Sequence, residues 1–350
     1  MKKIALISIL FLAVLVLAGC GENGDVSEAT YAISTILKTV DGGATWESSS
    51  ANNSDKTIIV PEILALEVNP LNSRMLYVGT EKDGLFVSDD QGAGWRKLDF
   101  PLTRIYGLGI GRGEAQVIYA SGLLKERGKV YKSLNGGEDW EEVYSEPANG
   151  TLISSVAVSP KNQDLVYVGT SEGMIIKTLN GGKTWENLTE VGGSVTTIGF
   201  DSANEADVYF LVFNNTIFRT KDGGVNFENL SESLGSDFFG GKPFFLATDP
   251  KISGKVYAGM SNGFLGGNKF GDKFEALNLI DSSTKFPIRA LAVNPQNSKE
   301  LFYSAAQAIY KSTDEGKTWA TSQLDTVRTG SQLKYDHSNP SIIYLGLRKF

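Results

Sequence analysis

The chain has one cysteine, one histidine and no cluster of lysine or arginine in 350 residues. Cys20 is the only thiol, so neither a disulfide framework nor a cysteine-based metal site can be built. His337 stands alone at a turn position, which argues against a Ser-His-Asp triad and against histidine ligation of a metal. It is expected to be a solvated turn residue. Positive charge is also scarce: the formal net charge is −7, and −9 once Lys2 and Lys3 are removed with a leader. Nucleic acid is therefore not an expected partner. The N-terminal apolar run, Ile4 to Ala18, is shorter than the roughly 20 residues that a membrane-spanning helix needs. Nothing in the composition calls for a cofactor, a metal or a catalytic residue.

Lys2 and Lys3 before that run and small residues after it are the elements of a secretory signal. Its last residues, Leu17-Ala18-Gly19-Cys20, resemble the lipobox of bacterial lipoproteins. The resemblance implies that residues 1–20 are a lipoprotein signal peptide and that Cys20 is diacylated and becomes the new N-terminus. Several acyl chains anchor stably where one does not. The mature protein is thus expected in the cell envelope, held to a membrane through Cys20 without crossing it, on the outer membrane or the extracytoplasmic face of the cell membrane. Gly21 lacks the aspartate associated with inner-membrane retention, which favours the outer membrane where a cell has two. Residues 21–30 are polar and glycine-containing and read as a flexible tether, leaving 31–350 as the folded region.

Within the folded region a short peptide recurs. "KTVDGGATW" begins at Lys38, "KTLNGGKTW" at Lys177 and "KSTDEGKTW" at Lys311. Its copies centre on Asp41 and Trp46, Asp90 and Trp95, Asn135 and Trp140, Asn180 and Trp185, Asp222 and Phe227, and Asp314 and Trp319. All five tryptophans occupy the aromatic position, so the recurrence is not accidental. The aromatic positions are 49, 45, 45 and 42 residues apart up to Phe227, and then 92 residues pass before Trp319. In that double interval "GGNKFGDKF" keeps Gly271 and Phe274 while Gly267 and Lys269 replace the hydroxyl and the carboxylate, which makes a worn seventh copy.

A second motif keeps step with the first. "ALEVNPLNSRMLYVGT" from Ala65 is echoed by "SVAVSPKNQDLVYVGT" and "ALAVNPQNSKELFYSA", two β-branched or aromatic runs around an Asn-Pro or Ser-Pro turn. Such segments are hairpins. A third strand leads into each box and a fourth leaves it, giving four antiparallel strands per 40 to 45 residues, the period of a β-propeller blade. The first box lacks a hairpin before it, and the last hairpin, from residue 330, lacks a box after it. Pairing the two leftovers would close an all-β ring of seven blades and hide both sheet edges. A single closed ring of this kind is expected to be a monomer.

The boxes resemble the Asp-box, or bacterial neuraminidase repeat, of sialidases, xyloglucan-hydrolysing propellers, sortilin ectodomains and photosystem II assembly-factor-like propellers. The even spacing and the Asn-Pro hairpins look most like the xyloglucan-hydrolase and assembly-factor branches. Families with the box differ in activity, so it marks architecture and not chemistry. One carboxylate per box also falls short of the six to eight oxygens that calcium takes. The boxes are read as folding devices.

Function is therefore sought on the opposite face, where the loops between strands 2 and 3 and the connections between blades converge. Two segments there look long: 121–130, with Lys125 and Arg127, and 231–243, with Phe238, Phe239 and Lys242. Arg104, Arg289 and Arg328 stand at or just before the starts of innermost strands, and the sialidase resemblance raises the question of a carboxylate-binding cluster. These eight residues are the binding candidates. The expected function is a binding or assembly module for a protein or polysaccharide partner. The alternative is a glycoside hydrolase, sialidase-like or xyloglucanase-like, at the channel mouth, which would need a pair of carboxylates there.

Overall fold

The computed structural model describes residues 35–49, 61–113, 116–234, 241–279 and 286–350. These form seven four-stranded antiparallel sheets, each a meander, arranged as a ring. In the first blade the strands run Ile63–Val68, Leu76–Thr80, Leu85–Ser88 and Arg96–Lys97, from the channel outwards. The blade that closes the ring is composite. Thr329–Tyr335 and Ile343–Arg348 supply its inner half, and Ile36–Thr39 and Glu47–Ser48 its outer half. Ile36 pairs with Gly346 and Thr39 with Ile343, so the edge of the last C-terminal strand is covered by the first described strand.

The second strand of every blade is sealed on both sides. Leu76–Thr80, Val166–Thr170 and Val256–Met260 are buried at every position. Because successive side chains point to opposite faces, such a strand feeds two cores at once. Tyr77 faces the second blade while Leu76 and Val78 face the composite blade. Seven apolar clusters result, one between each pair of neighbouring blades. Close approach across these interfaces needs missing side chains. A Cβ on Gly79 would lie 2.6 Å from Cγ2 of Ile105, the first residue of the next inner strand.

Segment 121–130 is not a loop. Strands Ile118–Leu124 and Arg127–Ser133 pair to their tips, leaving only Lys125 and Glu126 in the turn. Both have positive φ, 48° and 66°, the conformation of a tight two-residue hairpin turn. The expectation failed because that turn is usually signalled by glycine or asparagine, and this one contains neither. Among the described residues no helix is long and apolar enough to cross a membrane.

Candidate functional site

The repeated turns lie on one face, beside the turns between strands 1 and 2. In the first, the buried Thr39 hydroxyl accepts from the Gly43 N–H at 2.9 Å and donates to Asp41, whose carboxylate accepts from the Thr45 N–H at 2.9 Å. The same bonds recur around Asp90, Asn135, Asn180, Asp222 and Asp314. Two successive residues take positive φ in each, for example Gly181 at 69° and Gly182 at 94°. The worn copy keeps this backbone, with Phe270 at 63° and Gly271 at 80°.

Each turn is also a clasp between blades. In six of the seven the first of the two positive-φ residues offers its carbonyl to the preceding blade, and in the remaining one Lys255 bonds the Glu315 side chain instead. Gly136 O receives the Tyr77 hydroxyl at 3.0 Å, Gly223 O receives Tyr167 and Lys177, each at 2.9 Å, and Gly42 O receives Lys311 at 2.8 Å. In three blades the tryptophan returns the contact, whereas the Trp140 indole N–H donates within its own turn to Gly137 O. The indole N–H of Trp95 donates to Ser49 O at 2.6 Å and that of Trp185 to Val143 O at 2.8 Å, both on the blade before. Asp41, Trp46, Asp90, Trp95, Asn135, Trp140, Asn180, Trp185, Asp222, Phe227, Asp314 and Trp319 are thus committed to the scaffold. The tyrosine and lysine half of the clasp was missed in the sequence, although a tyrosine in each second strand was the available signal.

On the opposite face the binding candidates fall into separate surroundings. Arg328 Nη1 lies 3.0 Å from Glu62 Oε1, and the Lys349 N–H donates to the other oxygen of Glu62 at 3.0 Å. Arg104 Nε donates to Glu81 O at 3.2 Å, and the Glu81 N–H donates to Glu62 O, so these two arginines flank the first blade. Lys125 sits in the hairpin turn, Arg127 donates to the Asn149 side chain at 2.8 Å, and Lys242 is exposed on backbone bonded to Ser261. Phe238, Phe239 and Cys20 lie outside the described residues.

Arg289 is held differently. Its guanidinium lies 4.8 Å from the ring centre of Phe244 and 4.0 Å from that of Phe350, and Arg348 approaches the same Phe350 ring at 5.4 Å. Phe213 packs edge-on against Phe244, with centroids 4.9 Å apart. No carboxylate among the described residues pairs with either guanidinium. Burial and the neighbouring Arg348 both push the Arg289 pKa down. Phe350 is 63% exposed and Phe213 40%, so the cluster presents two apolar rings and two cations to solvent. Of these residues only Arg289 was picked from the sequence. Phe213 stands where Glu81 and Ser171 stand in other blades, and an aromatic residue at a polar turn position was the signal overlooked.

The channel is lined by the innermost strands. One cavity of about 330 Å³ and another of about 220 Å³ open beside the repeated turns, and Glu67 and His337 line both. Glu67 is the one carboxylate lining them, and its Oε1 lies 2.6 Å from Lys334 Nζ. His337 is on the expected face, but it is not a solvated turn residue. It turns into the channel and is half-buried. Desolvation, with Arg112 and Lys334 nearby, pushes its pKa down to about 4, against the opposing pull of Asp336. Among the described residues no group of three His, Cys, Asp or Glu is placed to hold a metal ion.

No family model matches the chain. A 109-residue stretch is 31% identical to a xyloglucanase of Hypocrea jecorina and covers 30% of this chain but only 13% of that enzyme. The GH74 xyloglucanase of Xanthomonas campestris superposes with a TM-score of 0.68 at 16% identity, over 86% of this chain and 52% of the enzyme. A structure of YCF48 bound to D1 peptide superposes with a TM-score of 0.62 at 15% identity, over 83% of this chain and 93% of that one. At such identities the structural likenesses speak for the fold. The chain is a seven-bladed β-propeller with xyloglucanases and YCF48 as structural neighbours.

Proposed function

We propose that the chain is a lipid-anchored binding or assembly module of the cell envelope that takes a protein or glycan partner on the face opposite the repeated turns. The observation that carries this reading is the cluster of Phe213, Phe244, Arg289, Arg348 and Phe350, in which two guanidiniums with no carboxylate partner among the described residues share an exposed ring. Exposed aromatic and arginine side chains are the groups that dominate protein interfaces, and a stacked guanidinium keeps its edge free for a carboxylate. The reading draws support from YCF48, which matches this fold over nearly its whole length and is solved with a peptide bound. Anchoring through Cys20 belongs to the proposal and rests on the leader sequence alone.

The test is capture of envelope partners by the full chain. Arg289→Ala combined with Phe213→Ala should abolish capture while leaving the melting temperature within a few degrees. Capture at the wild-type level by that variant would reject the site. Labelling of the chain with radioactive palmitate, lost in Cys20→Ser, checks the anchor.

The stretch shared with a fungal xyloglucanase favours glycoside hydrolysis as a second reading. Its difficulty is Glu67, which is the one carboxylate lining the two cavities and is already paired with Lys334. Paired acid chemistry needs a second carboxyl roughly 5 to 10 Å away. Release of reducing sugar from xyloglucan by the full chain, lost in Glu67→Gln, would establish that reading over the first.

A further inference from the structure

We propose that the channel mouth on the repeated-turn face is a binding site for a small oxyanion, a carboxylate or phosphate group, held by Arg112 with Lys334 and His337. The site is independent of the aromatic cluster on the other face.

The seven turns that follow the innermost strands form a ring around this mouth. Four of them place proline at the same position, Pro70, Pro160, Pro250 and Pro295, which suits the fixed φ of a tight turn. Ser202 holds the position on the fourth blade. The two remaining blades, which flank Pro70 on either side, carry Arg112 and His337 instead. The turn itself does not demand these residues. The Asp336 carboxylate still accepts from the Ser338 and Asn339 N–H groups, as Asn69 does from Leu71 and Asn72 beside Pro70.

Three residues before each turn, the channel is lined by Gly109, Ala157, Gly199, Ala247 and Ala292 on five blades, and by Glu67 and Lys334 on the other two. Small side chains on five sides leave the room, and the charged groups all lie on the remaining side. Arg112 and His337 line one cavity together. Lys334 neutralises Glu67, whereas Arg112 has neither a hydrogen bond nor an ion pair among the described residues. The mouth therefore offers one guanidinium with no carboxylate partner among the described residues, placed at its exposed rim, where an arginine fork can take two oxygens of one anion; the nearest opposing charge, Asp336, is engaged by the N–H groups of its own turn. The volumes, about 220 and 330 Å³, suit a small molecule and not a chain.

The imidazole reports on occupancy. In the empty mouth it is neutral above about pH 4, because it is desolvated and faces Arg112 and Lys334, with Asp336 as the opposing charge. A bound anion would offset those cations and raise the imidazole pKa, so binding should tighten as pH falls toward the range in which His337 takes its proton. A rise of one unit corresponds to about tenfold tighter binding by the protonated form.

Because the chain has one histidine, its imidazole gives a single Cε1–H signal in a full-chain NMR spectrum. That signal is followed from about pH 7 to pH 3.5 in chloride, inorganic phosphate and formate at equal ionic strength. Phosphate or formate should move the signal saturably and raise the His337 pKa by about one unit over chloride. Arg112→Gln should remove most of that rise, and Arg112→Lys, which keeps the charge, should retain some of it. Response to phosphate alone or to formate alone identifies the group; response to both supports the shared chemistry. Identical titrations in all three salts, or an anion effect undiminished in both Arg112 variants, would overturn the assignment.

Discussion

The clasp between blades makes a graded prediction about tyrosine hydroxyls. Tyr77, Tyr167 and Tyr257 occupy the same place in three blades and are all fully buried, yet their hydroxyls end differently. Tyr77 donates to Gly136 O, a buried carbonyl for which no other partner stands within reach among the described residues. Tyr77→Phe removes a bond and strands its acceptor, which costs about 1–3 kcal/mol. Tyr167→Phe leaves Gly223 O bonded to Lys177, so only the bond's net worth is lost, about 0.5–1.5 kcal/mol. The Tyr257 hydroxyl is buried without a partner among the described residues, and removing it should be neutral within about 0.5 kcal/mol or stabilising. Urea unfolding of the three variants should separate them by midpoint at an unchanged slope, in the order Tyr77 below Tyr167 below Tyr257. Equal midpoints, or Tyr257→Phe as the least stable, would refute the account of the clasp.

The remaining predictions concern acid, crowding and closure. The Asn226 N–H holds the Asp222 pKa at about 2, and the Thr318 hydroxyl does the same for Asp314. Because both folded values lie below the unfolded one, their stabilisation is complete above roughly pH 4 and is lost as pH falls toward 2. Asp222→Asn with Asp314→Asn should flatten the fall of melting temperature over that window, as Asn135 and Asn180 serve uncharged in two turns; an unchanged slope would dismiss the linkage. Gly79→Ala meets Ile105 at 2.6 Å and should cost about 1–3 kcal/mol in thermal unfolding, whereas Gly263→Ala, with open space around it, should be silent. Removing residues 1–49 uncovers Ile343–Arg348 and takes away the Ser49 carbonyl that Trp95 uses, so that chain should aggregate. Recovery of a soluble monomer would contradict the closure argument.

The ring was readable because its evidence is repeated: six turns with one hydrogen-bond pattern and a worn seventh in step with them set the blade length, and the unpaired pieces at the two ends set the closure. What could not be read is anything that depends on which blade stands next to which. The Tyr77 hydroxyl meets Gly136 and the Lys311 ammonium meets Gly42 only after the ring has formed. His337 was misjudged for the same reason, since a turn beside a channel has an inside that a turn on an open sheet lacks. Arg289 was picked as a rim residue, but Phe244 and Phe350, which make it more than that, come from other blades.

The worn copy shows how the two halves of the clasp trade places. Gly267 and Lys269 remove the hydroxyl and the carboxylate that fix the other turns from within. Arg219, from the blade before, stands where four other blades carry lysine, Lys38, Lys132, Lys177 and Lys311. It bonds Phe270 O and pairs with Glu228 and with Asp272, the latter at 2.9 Å. Arg219 is 2% exposed while both carboxylates reach solvent, so the buried guanidinium depends on these partners for its compensation. A turn that has lost its internal bonds is thus held in shape from across the interface. If this is the reason the fifth blade survives, Arg219→Met should loosen the turn at Phe270 far more than Lys177→Met loosens the turn at Gly223, which keeps its own Thr220 and Asp222 bonds. Amide exchange at Phe270 and Gly223 would read the difference, and equal protection in the two variants would mean that the worn turn needs no outside support.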